Sequence, residues 1–83
     1  KMRIDKFLNS VNLTKRRAVA QDMIKNSVIK INNIIAKASK DVKIGDKIEM
    51  NLLNSSKSYE VLDIPKTKTI AKTEQEKYIK EIL

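Results

Sequence analysis

Apolar residues recur at helical spacing in two segments near the start of the chain. They fall on one face of each segment, which predicts two amphipathic helices, over 3–11 and 14–25. A short turn at Asn12 and Leu13 would join the helices into a compact pair. The apolar positions are Ile4, Phe7, Leu8 and Val11 in the first segment, and Val19, Ala20, Met23 and Ile24 in the second.

The start of the second predicted helix is rich in positive charge. Thr14 is placed to cap this helix by accepting a hydrogen bond from a backbone N–H of the first turn. Lys15, Arg16 and Arg17 follow it, although cations at a helix N-terminus oppose the helix dipole. A bound phosphate would explain them, and a solvated run of charge is the alternative. Arg17 also begins a polar stripe that continues, at intervals of four, through Gln21 and Lys25.

The pattern changes to short strands after residue 27. Segments 28–31 and 34–35 are rich in β-branched residues, and Asn32-Asn33 between them predicts a two-residue hairpin turn, because both positions tolerate positive φ. Gly45-Asp46 predicts a turn that leads into an alternating strand over 47–53. A further strand over 59–64 would end at Pro65.

The last part of the chain is more polar. Residues 66–73 are expected to be mobile, and Thr-Glu-Gln-Glu at 73–76 is a capping box that predicts a final helix. The element order predicts an α+β fold with two N-terminal helices packed on a small antiparallel sheet and a short C-terminal helix. We expect one domain over 3–64, followed by a linker and the C-terminal helix over 65–83.

The amino-acid composition excludes several kinds of functional site. The 83 residues include no cysteine and no histidine, so thiolate metal sites, disulfides and a histidine general base are all excluded. Carboxylates such as Asp41 and Asp63 have no evident partner for acid–base work. We therefore expect no catalytic residue, no metal site and no cofactor. No apolar run approaches the roughly 20 residues of a membrane span, and a cytoplasmic protein with no membrane partner is expected.

The positive charge is concentrated in the first half of the chain. Residues 1–47 contain 12 Lys and Arg against 4 Asp and Glu, which is a net +8, whereas residues 48–83 contain 6 of each. A concentrated basic surface is typical of nucleic-acid binders. The alternative of docking on an anionic membrane or an acidic partner would favour one amphipathic helix with a wide apolar face. Here the cations are spread over two helices and a hairpin.

Five short motifs in this half resemble the S4 RNA-binding domain family. They are Arg-Ile-Asp-Lys-Phe-Leu at 3–8, Thr-Lys-Arg-Arg-Ala at 14–18, Ile-Asn-Asn at 31–33, Lys-Ala-Ser at 37–39, and Val-Lys-Ile-Gly-Asp-Lys-Ile at 42–48. Each motif is weak alone, and the five in this order make a specific match. The chain departs from the family pattern where glycine is usual, at Ser27 and Asn33, and both residues suit similar backbone conformations.

The resemblance implies an S4-type (αL) fold and a bacterial, ribosome-associated role. A free-standing chain of this size is similar to the small members of the family, such as heat-shock protein 15 and its relatives in ribosome-associated quality control. These members imply, as partners, 23S rRNA of the large (50S) ribosomal subunit and peptidyl-tRNA on stalled subunits. We expect a monomer that is not an enzyme. A ribosome-assembly factor, or the S4 module of an RNA-modifying enzyme, remains the alternative.

The predicted RNA-binding surface combines cations with short polar side chains. Cations would bind phosphates, and amides and hydroxyls would contact 2′-hydroxyl groups. Asp5 would orient Arg3 or Arg17 through a bidentate pair, and an ordinary surface ion pair is the alternative. The aromatic residues are expected to pack inside, so base stacking on the sheet is not expected. The predicted residues are Arg3, Asp5, Lys6, Thr14, Lys15, Arg16, Arg17, Gln21, Lys25, Lys30, Asn32, Asn33, Lys37 and Ser39.

Overall fold

A computed structural model describes residues 2–82 and has the predicted α+β architecture. The elements are β1 (Met2–Arg3), α1 (Ile4–Ser10), α2 (Arg17–Lys25), β2 (Ile29–Ile31), β3 (Ile34–Ile35), β4 (Asp41–Val42), β5 (Lys47–Asn51), β6 (Ser56–Val61), a 3-10 helix (Lys72–Lys77) and β7 (Ile79–Ile82). Both α-helices precede a five-stranded antiparallel sheet with strand order β3-β2-β5-β6-β7. The short strands β1 and β4 pair separately.

The core lies between the helix pair and one face of the sheet. Phe7 and Leu8 of α1 have no exposed surface, and Ala20 of α2 is equally buried. On the sheet, Ile31 lies opposite Ile48 in the antiparallel register, and the inward residues of each strand alternate with outward polar ones. This alternation confirms the strand period read from the sequence, and the burial of Ile4, Phe7 and Leu8 confirms the helical period of α1. Among the described residues, no helix is long and apolar enough to cross a membrane.

Left-handed residues close the predicted turns. Asn32 and Asn33 have φ values of 52° and 69°, which is the conformation of a type I′ hairpin turn. Gly45 has φ of 93° in the turn before β5. At the end of α2 the left-handed residue is Ser27, with φ of 60°, whereas Asn26 has φ of −91°. The residue that ends α2 in the left-handed conformation is therefore the one at which the family often has glycine.

The predicted cap of the second helix was wrong. The α2 helix begins at Arg17, and Arg16 occupies the N-cap position without a side-chain cap bond. Thr14 instead continues the turn after α1, because its backbone N–H donates to the Leu8 carbonyl at 3.2 Å. Its hydroxyl donates to the Arg16 carbonyl at 3.1 Å, and the residue is only 6 % exposed. Lys15 and Arg16 therefore precede the helix and do not lie in its first turn.

The predicted C-terminal α-helix was also wrong in type and extent. A 3-10 helix covers Lys72–Lys77, and the chain then extends as β7. Here Ile79 lies opposite Val61 in the sheet and is 5 % exposed. A C-terminal α-helix would place Glu76 near Lys80 and Lys77 near Glu81, as ion pairs worth a few tenths of a kcal/mol each. Burying one isoleucine contributes about 1.5–3 kcal/mol, and β7 also covers the open edge of β6.

Segment 66–73, which the sequence predicts to be mobile, makes hydrogen bonds to the end of α1 and the turn after it. The Ser10 hydroxyl lies 3.0 Å from the Thr67 carbonyl oxygen and 2.7 Å from that of Lys68. The Asn12 side-chain amide donates to the Ile70 carbonyl at 2.8 Å, and Ile70 itself is 7 % exposed. Strand β6 ends at Val61, earlier than the predicted residue 64. The division of the chain at residues 64 and 65 stays a prediction.

Candidate nucleic-acid interface

A buried carboxylate organises the surface of the helix pair. Asp5 lies in α1, and its side chain has no exposed surface. Its Oδ2 accepts hydrogen bonds from Arg17 Nε at 3.1 Å and from Gln21 Nε2 at 3.0 Å. Its Oδ1 accepts one from the backbone N–H of Lys6 at 2.8 Å and lies 3.7 Å from Arg3 Nε. Asp5 thus connects the polar stripe of α2 to the start of α1.

The Asp5 carboxylate is held in its charged form. Burial alone raises the pKa of Asp5, because it removes the charge from water. Hydrogen bonds from Gln21, Arg17 and the Lys6 backbone, together with the positive charge of Arg17, outweigh burial, so that the pKa lies below its ordinary value. The alternative of an ordinary surface ion pair does not describe Asp5, because both oxygens are buried and bonded.

The two arginines keep much of their surface free to contact a ligand. The side chains of Arg3 and Arg17 are 49 % and 46 % exposed. The predicted bidentate pair is not formed, since Arg17 uses only its Nε and Gln21 shares the same Asp5 oxygen. This geometry fixes each guanidinium through its Nε and leaves the terminal N–H groups to bind an anion such as phosphate. The contact between Gln21 and Asp5 was not predicted.

Arg3 also connects this cluster to the loop between β3 and β4. Its Nε donates to the Ala38 carbonyl at 3.1 Å, and the backbone N–H of Ile4 donates to the Lys40 carbonyl at 2.8 Å. The exposed Lys37 and Ser39 of this loop are therefore held close to the start of α1. The remaining cations on the helix side are exposed as well, and they are Lys6, Lys15, Arg16 and Lys25.

Three of the predicted RNA-binding residues are buried, lie away from the cations of the helices, or have their polar atoms bonded within the protein. Thr14 is buried. Lys30 faces away from the core, between the buried Ile29 and Ile31, and lies opposite Glu49 in the sheet, so it is separated from the cations of the helices. The Asn32 amide donates to Asp46 Oδ1 at 3.1 Å, and its oxygen accepts the Lys47 backbone N–H at 3.0 Å.

This network makes Asn32 a support for the hairpin turn. Asn33, the other turn residue, remains exposed. Within residues 2–82, every buried side-chain nitrogen and oxygen has a hydrogen-bond partner. The same residues contain no cluster of three or more acidic side chains that could hold a metal ion. The surface therefore presents fixed cations and exposed polar groups, which is chemistry suited to binding a polyanion.

Comparison with known proteins identifies relatives of this chain. The S4 domain family matches residues 2–48. The chain is 45 % identical, over 78 residues, to the RQC P-site tRNA stabilizing factor of Helicobacter pylori strain 26695, and the match covers 94 % of this chain and 93 % of that protein. The factor of the same name from Streptococcus pneumoniae is 38 % identical over 63 residues, which cover 76 % and 72 % of the two chains.

Two solved structures share the fold over nearly the whole chain. The trimeric structure of Vibrio cholerae Heat Shock Protein 15 superimposes with a TM-score of 0.88 at 26 % identity, covering 98 % of this chain and 81 % of that one. The solution structure of a hypothetical protein gives a TM-score of 0.86 at 43 % identity, covering 99 % and 98 % of the two chains. The Vibrio cholerae protein is trimeric in its structure.

Proposed function

Because the chain belongs to the S4 domain family and, within it, to the RQC P-site tRNA stabilizing factors, we propose that it binds the large ribosomal subunit and stabilises peptidyl-tRNA there. The binding would occur on stalled subunits, in ribosome-associated quality control. Its contacts would be to 23S rRNA and to the tRNA. The relatives are named for stabilising a tRNA, which is a binding activity, and we propose that this chain likewise acts in the cytoplasm without catalysis.

The observation that carries the proposal is the fixed pose of two half-exposed arginines around one buried acid. Asp5 engages Arg17 at 3.1 Å and lies 3.7 Å from Arg3, each through Nε. A guanidinium held this way loses little further conformational entropy when it binds phosphate, and its planar donors match phosphate oxygens. A simple basic patch has no need of a buried acid in its centre.

The rest of the surface supplies charge and polar contacts around these arginines. The excess of +8 lies entirely in residues 1–47, and the exposed lysines of α1, of the segment before α2 and of the 36–41 loop carry part of it. Phosphate contacts would position the protein on the RNA backbone. Helical RNA is recognised mostly by shape and 2′-hydroxyls, which suits the exposed Gln21 and Ser39.

The proposal is tested by measuring how long peptidyl-tRNA stays on purified large subunits. We expect the wild-type protein to slow release of the tRNA, and Arg17→Ala to remove most of that effect. Lys57→Ala is the matched control, because Lys57 is an exposed cation in β6, within the electrically neutral half of the chain. It should behave like wild type.

Two outcomes would contradict the proposal. Release that is equally fast with and without protein would exclude a stabilising role. Equal affinity for subunits with and without peptidyl-tRNA, combined with binding to immature subunits, would favour an assembly factor. A direct test for RNA modification in the same samples checks the third possibility, that the chain is a module of a modifying enzyme.

A further inference from the structure

A cavity of about 560 Å³ opens between the β2–β3 hairpin and the 36–41 loop. We infer that this cavity receives one unpaired nucleotide of the bound RNA, with its base against the apolar wall and its phosphates on the lysine rim. The inference rests on the proposed function only in assuming that the chain binds RNA. The volume falls within the roughly 300–1,000 Å³ typical of small-ligand sites.

The wall of the cavity is apolar although it faces solvent. Ile34 and Ile35 are neighbours in β3 and are 72 % and 52 % exposed, and Ile31 and Ala36 complete the wall. Adjacent exposed isoleucines on a basic surface are costly to hydrate unless something covers them. An unstacked base offers a flat apolar face, and proteins that bind such bases pack them between aromatic or aliphatic side chains.

The rim of the cavity is positively charged. Lys37, Lys40 and Lys43 all line it and all are exposed. Three cations around an apolar wall complement a nucleotide, which joins a flat base to phosphates on both sides. An apolar protein segment would leave these lysines without partners, so charge complementarity favours RNA as the occupant.

Both walls are fixed before any ligand binds. On the loop side, the Ala36 backbone N–H donates to the Ile29 carbonyl at 2.9 Å, and Arg3 Nε holds the Ala38 carbonyl at 3.1 Å. On the hairpin side, the Asn32 amide is bonded to Asp46. A preformed cavity avoids the cost of ordering loops on binding. Arg3 also belongs to the Asp5 cluster, so the cavity continues the proposed RNA-binding surface.

The acid among the residues lining the cavity is Asp41, in β4. A carboxylate accepts hydrogen bonds from the exocyclic amino groups of adenine, cytosine and guanine, as in groove readout, and uracil has no such group. In a fully paired helix the base stays stacked between its neighbours and cannot enter the cavity. The geometry therefore favours an unpaired base with an amino group over uracil and over a paired base.

The test uses one short RNA duplex in three forms: fully paired, with a single bulged adenosine, and with a single bulged uridine. We expect wild-type protein to bind the adenosine bulge about tenfold more tightly than the paired duplex, a difference of about 1.4 kcal/mol. The uridine bulge should fall between them. Placing the fluorescent adenine analogue 2-aminopurine at the bulge should give a binding-dependent signal, absent when it lies in the paired stem.

Variants assign the preference to the cavity. The double variant Ile34→Thr with Ile35→Thr keeps β-branched side chains and removes the apolar wall, and it should bind all three RNAs with the affinity of the paired form. Leu53→Thr is the matched control, because Leu53 is 98 % exposed in another loop, and it should keep the preference. Asp41→Asn should reduce the discrimination between adenosine and uridine.

Equal binding of bulged and paired RNA by wild-type protein would overturn the inference, and this result does not depend on how any variant folds. An unchanged preference in the double threonine variant would overturn it as well. The inference would also be overturned if that variant lost large-subunit binding while its affinities for the three RNAs stayed unchanged. A protein would then be what covers the cavity. Retention of peptidyl-tRNA, measured in parallel, reports on the proposed function separately.

Discussion

The first helix contacts two unlike segments at its two ends. Near its N-terminus, Asp5 accepts a charged hydrogen bond from the half-exposed Arg17 and forms a longer ion pair, at 3.7 Å, with the half-exposed Arg3. At its C-terminus, Ser10 and Asn12 bind backbone carbonyls of segment 67–70, and Gln75 Nε2 of the 3-10 helix donates to the Val11 carbonyl at 2.7 Å. One end organises charge toward solvent, and the other attaches part of the electrically neutral second half of the chain to the core.

This difference separates recognition from support within a very small protein. Residues 1–47 carry the net +8, and residues 48–83 carry equal numbers of acids and bases. The second half nevertheless contributes strands β6 and β7 and the buried Tyr59, Val61, Ile70 and Ile79. Its contribution is to hold the sheet against the helix pair, so that the arginines and the 36–41 loop keep their positions.

The largest expected effect is that of salt, and it should arise from the basic half alone. If about six phosphates are neutralised, RNA affinity should fall about 300- to 2,000-fold between 50 and 200 mM salt, because counterions are released on binding. Titrations at several salt concentrations measure the slope. Arg17→Ala should lower the slope by about one, whereas Lys72→Ala, in the neutral half, should leave it unchanged. A nearly constant affinity would contradict the electrostatic interpretation.

The second-largest expected effect is a loss of folding stability when part of the electrically neutral half of the chain is removed. Deleting residues 66–83 removes the buried Ile70 and Ile79, whose burial contributes about 3–6 kcal/mol at about 1.5–3 kcal/mol each, an upper estimate. That is a large fraction of the 5–15 kcal/mol typical of a domain. Urea unfolding measures the loss.

The RNA affinity of the truncated protein tests the comparison directly. Measured under conditions where the protein stays folded, it should lie within about threefold of wild type, since the deletion removes no part of the Asp5 cluster. A loss as large as that from replacing Lys15, Arg16 and Arg17 by alanine would show that the tail belongs to the RNA site.

Local features of this fold could be predicted from sequence, and the non-local ones could not. The apolar face of α1, the Asn32-Asn33 turn and the Gly45 turn depend on neighbouring residues, and all of them are confirmed. The predicted apolar face of α2 is confirmed only in part, because its Val19 is 44 % exposed. The end of the chain was misassigned, because a capping box is a local signal. Strand β7 forms because β6 offers an unpaired edge and because Val61 gives Ile79 a buried neighbour. No residue near the capping box in sequence indicates either contact.

The candidate site likewise has features that residue spacing predicts and features that only the packing of distant segments shows. Helical spacing placed Arg17 and Gln21 on one stripe, but only the packing of α2 on α1 shows that both contact Asp5. The residue type of Thr14 predicts a helix cap, yet the turn after α1 buries it. The cavity is assembled from a hairpin and the loop that directly follows it, so its shape follows from their packing and not from any motif.

Replacing Asp5 distinguishes orientation from bulk charge. Asp5→Ala removes a negative charge, so charge alone predicts tighter RNA binding. Loss of the bonds that hold Arg17 and Gln21 predicts weaker binding, by about tenfold if roughly 1.4 kcal/mol of positioning is lost. Circular dichroism establishes folding first, and affinity for large subunits is then measured at fixed salt. Tighter binding by a folded variant would exclude orientation and leave only a basic patch.

Arg17→Lys should have a smaller effect than Arg17→Ala. Lysine keeps the charge but lacks the planar donors that bind Asp5 and a phosphate at once. Affinity for large subunits should therefore recover only in part, and Lys57→Ala should match wild type. A fully active Arg17→Lys variant would mean that charge at this position is sufficient.

The smallest expected effect is the acid sensitivity that Asp5 gives to folding. Burial raises its pKa, but the bonds from Gln21 and Arg17 lower it more, so the pKa in the folded state lies below its value in the unfolded chain, about 3.9. The contribution of Asp5 to stability is therefore complete above about pH 3.9 and is lost as the pH falls through the folded-state pKa.

Urea unfolding of wild type and Asp5→Asn should show a stability difference that is constant from pH 7 to 5 and shrinks below pH 4. Glu76→Gln, which alters an exposed acid of the neutral half, should follow the wild-type curve throughout. A difference between wild type and Asp5→Asn that stays constant down to pH 2 would show that Asp5 stabilises the helix pair by packing and not by its charge.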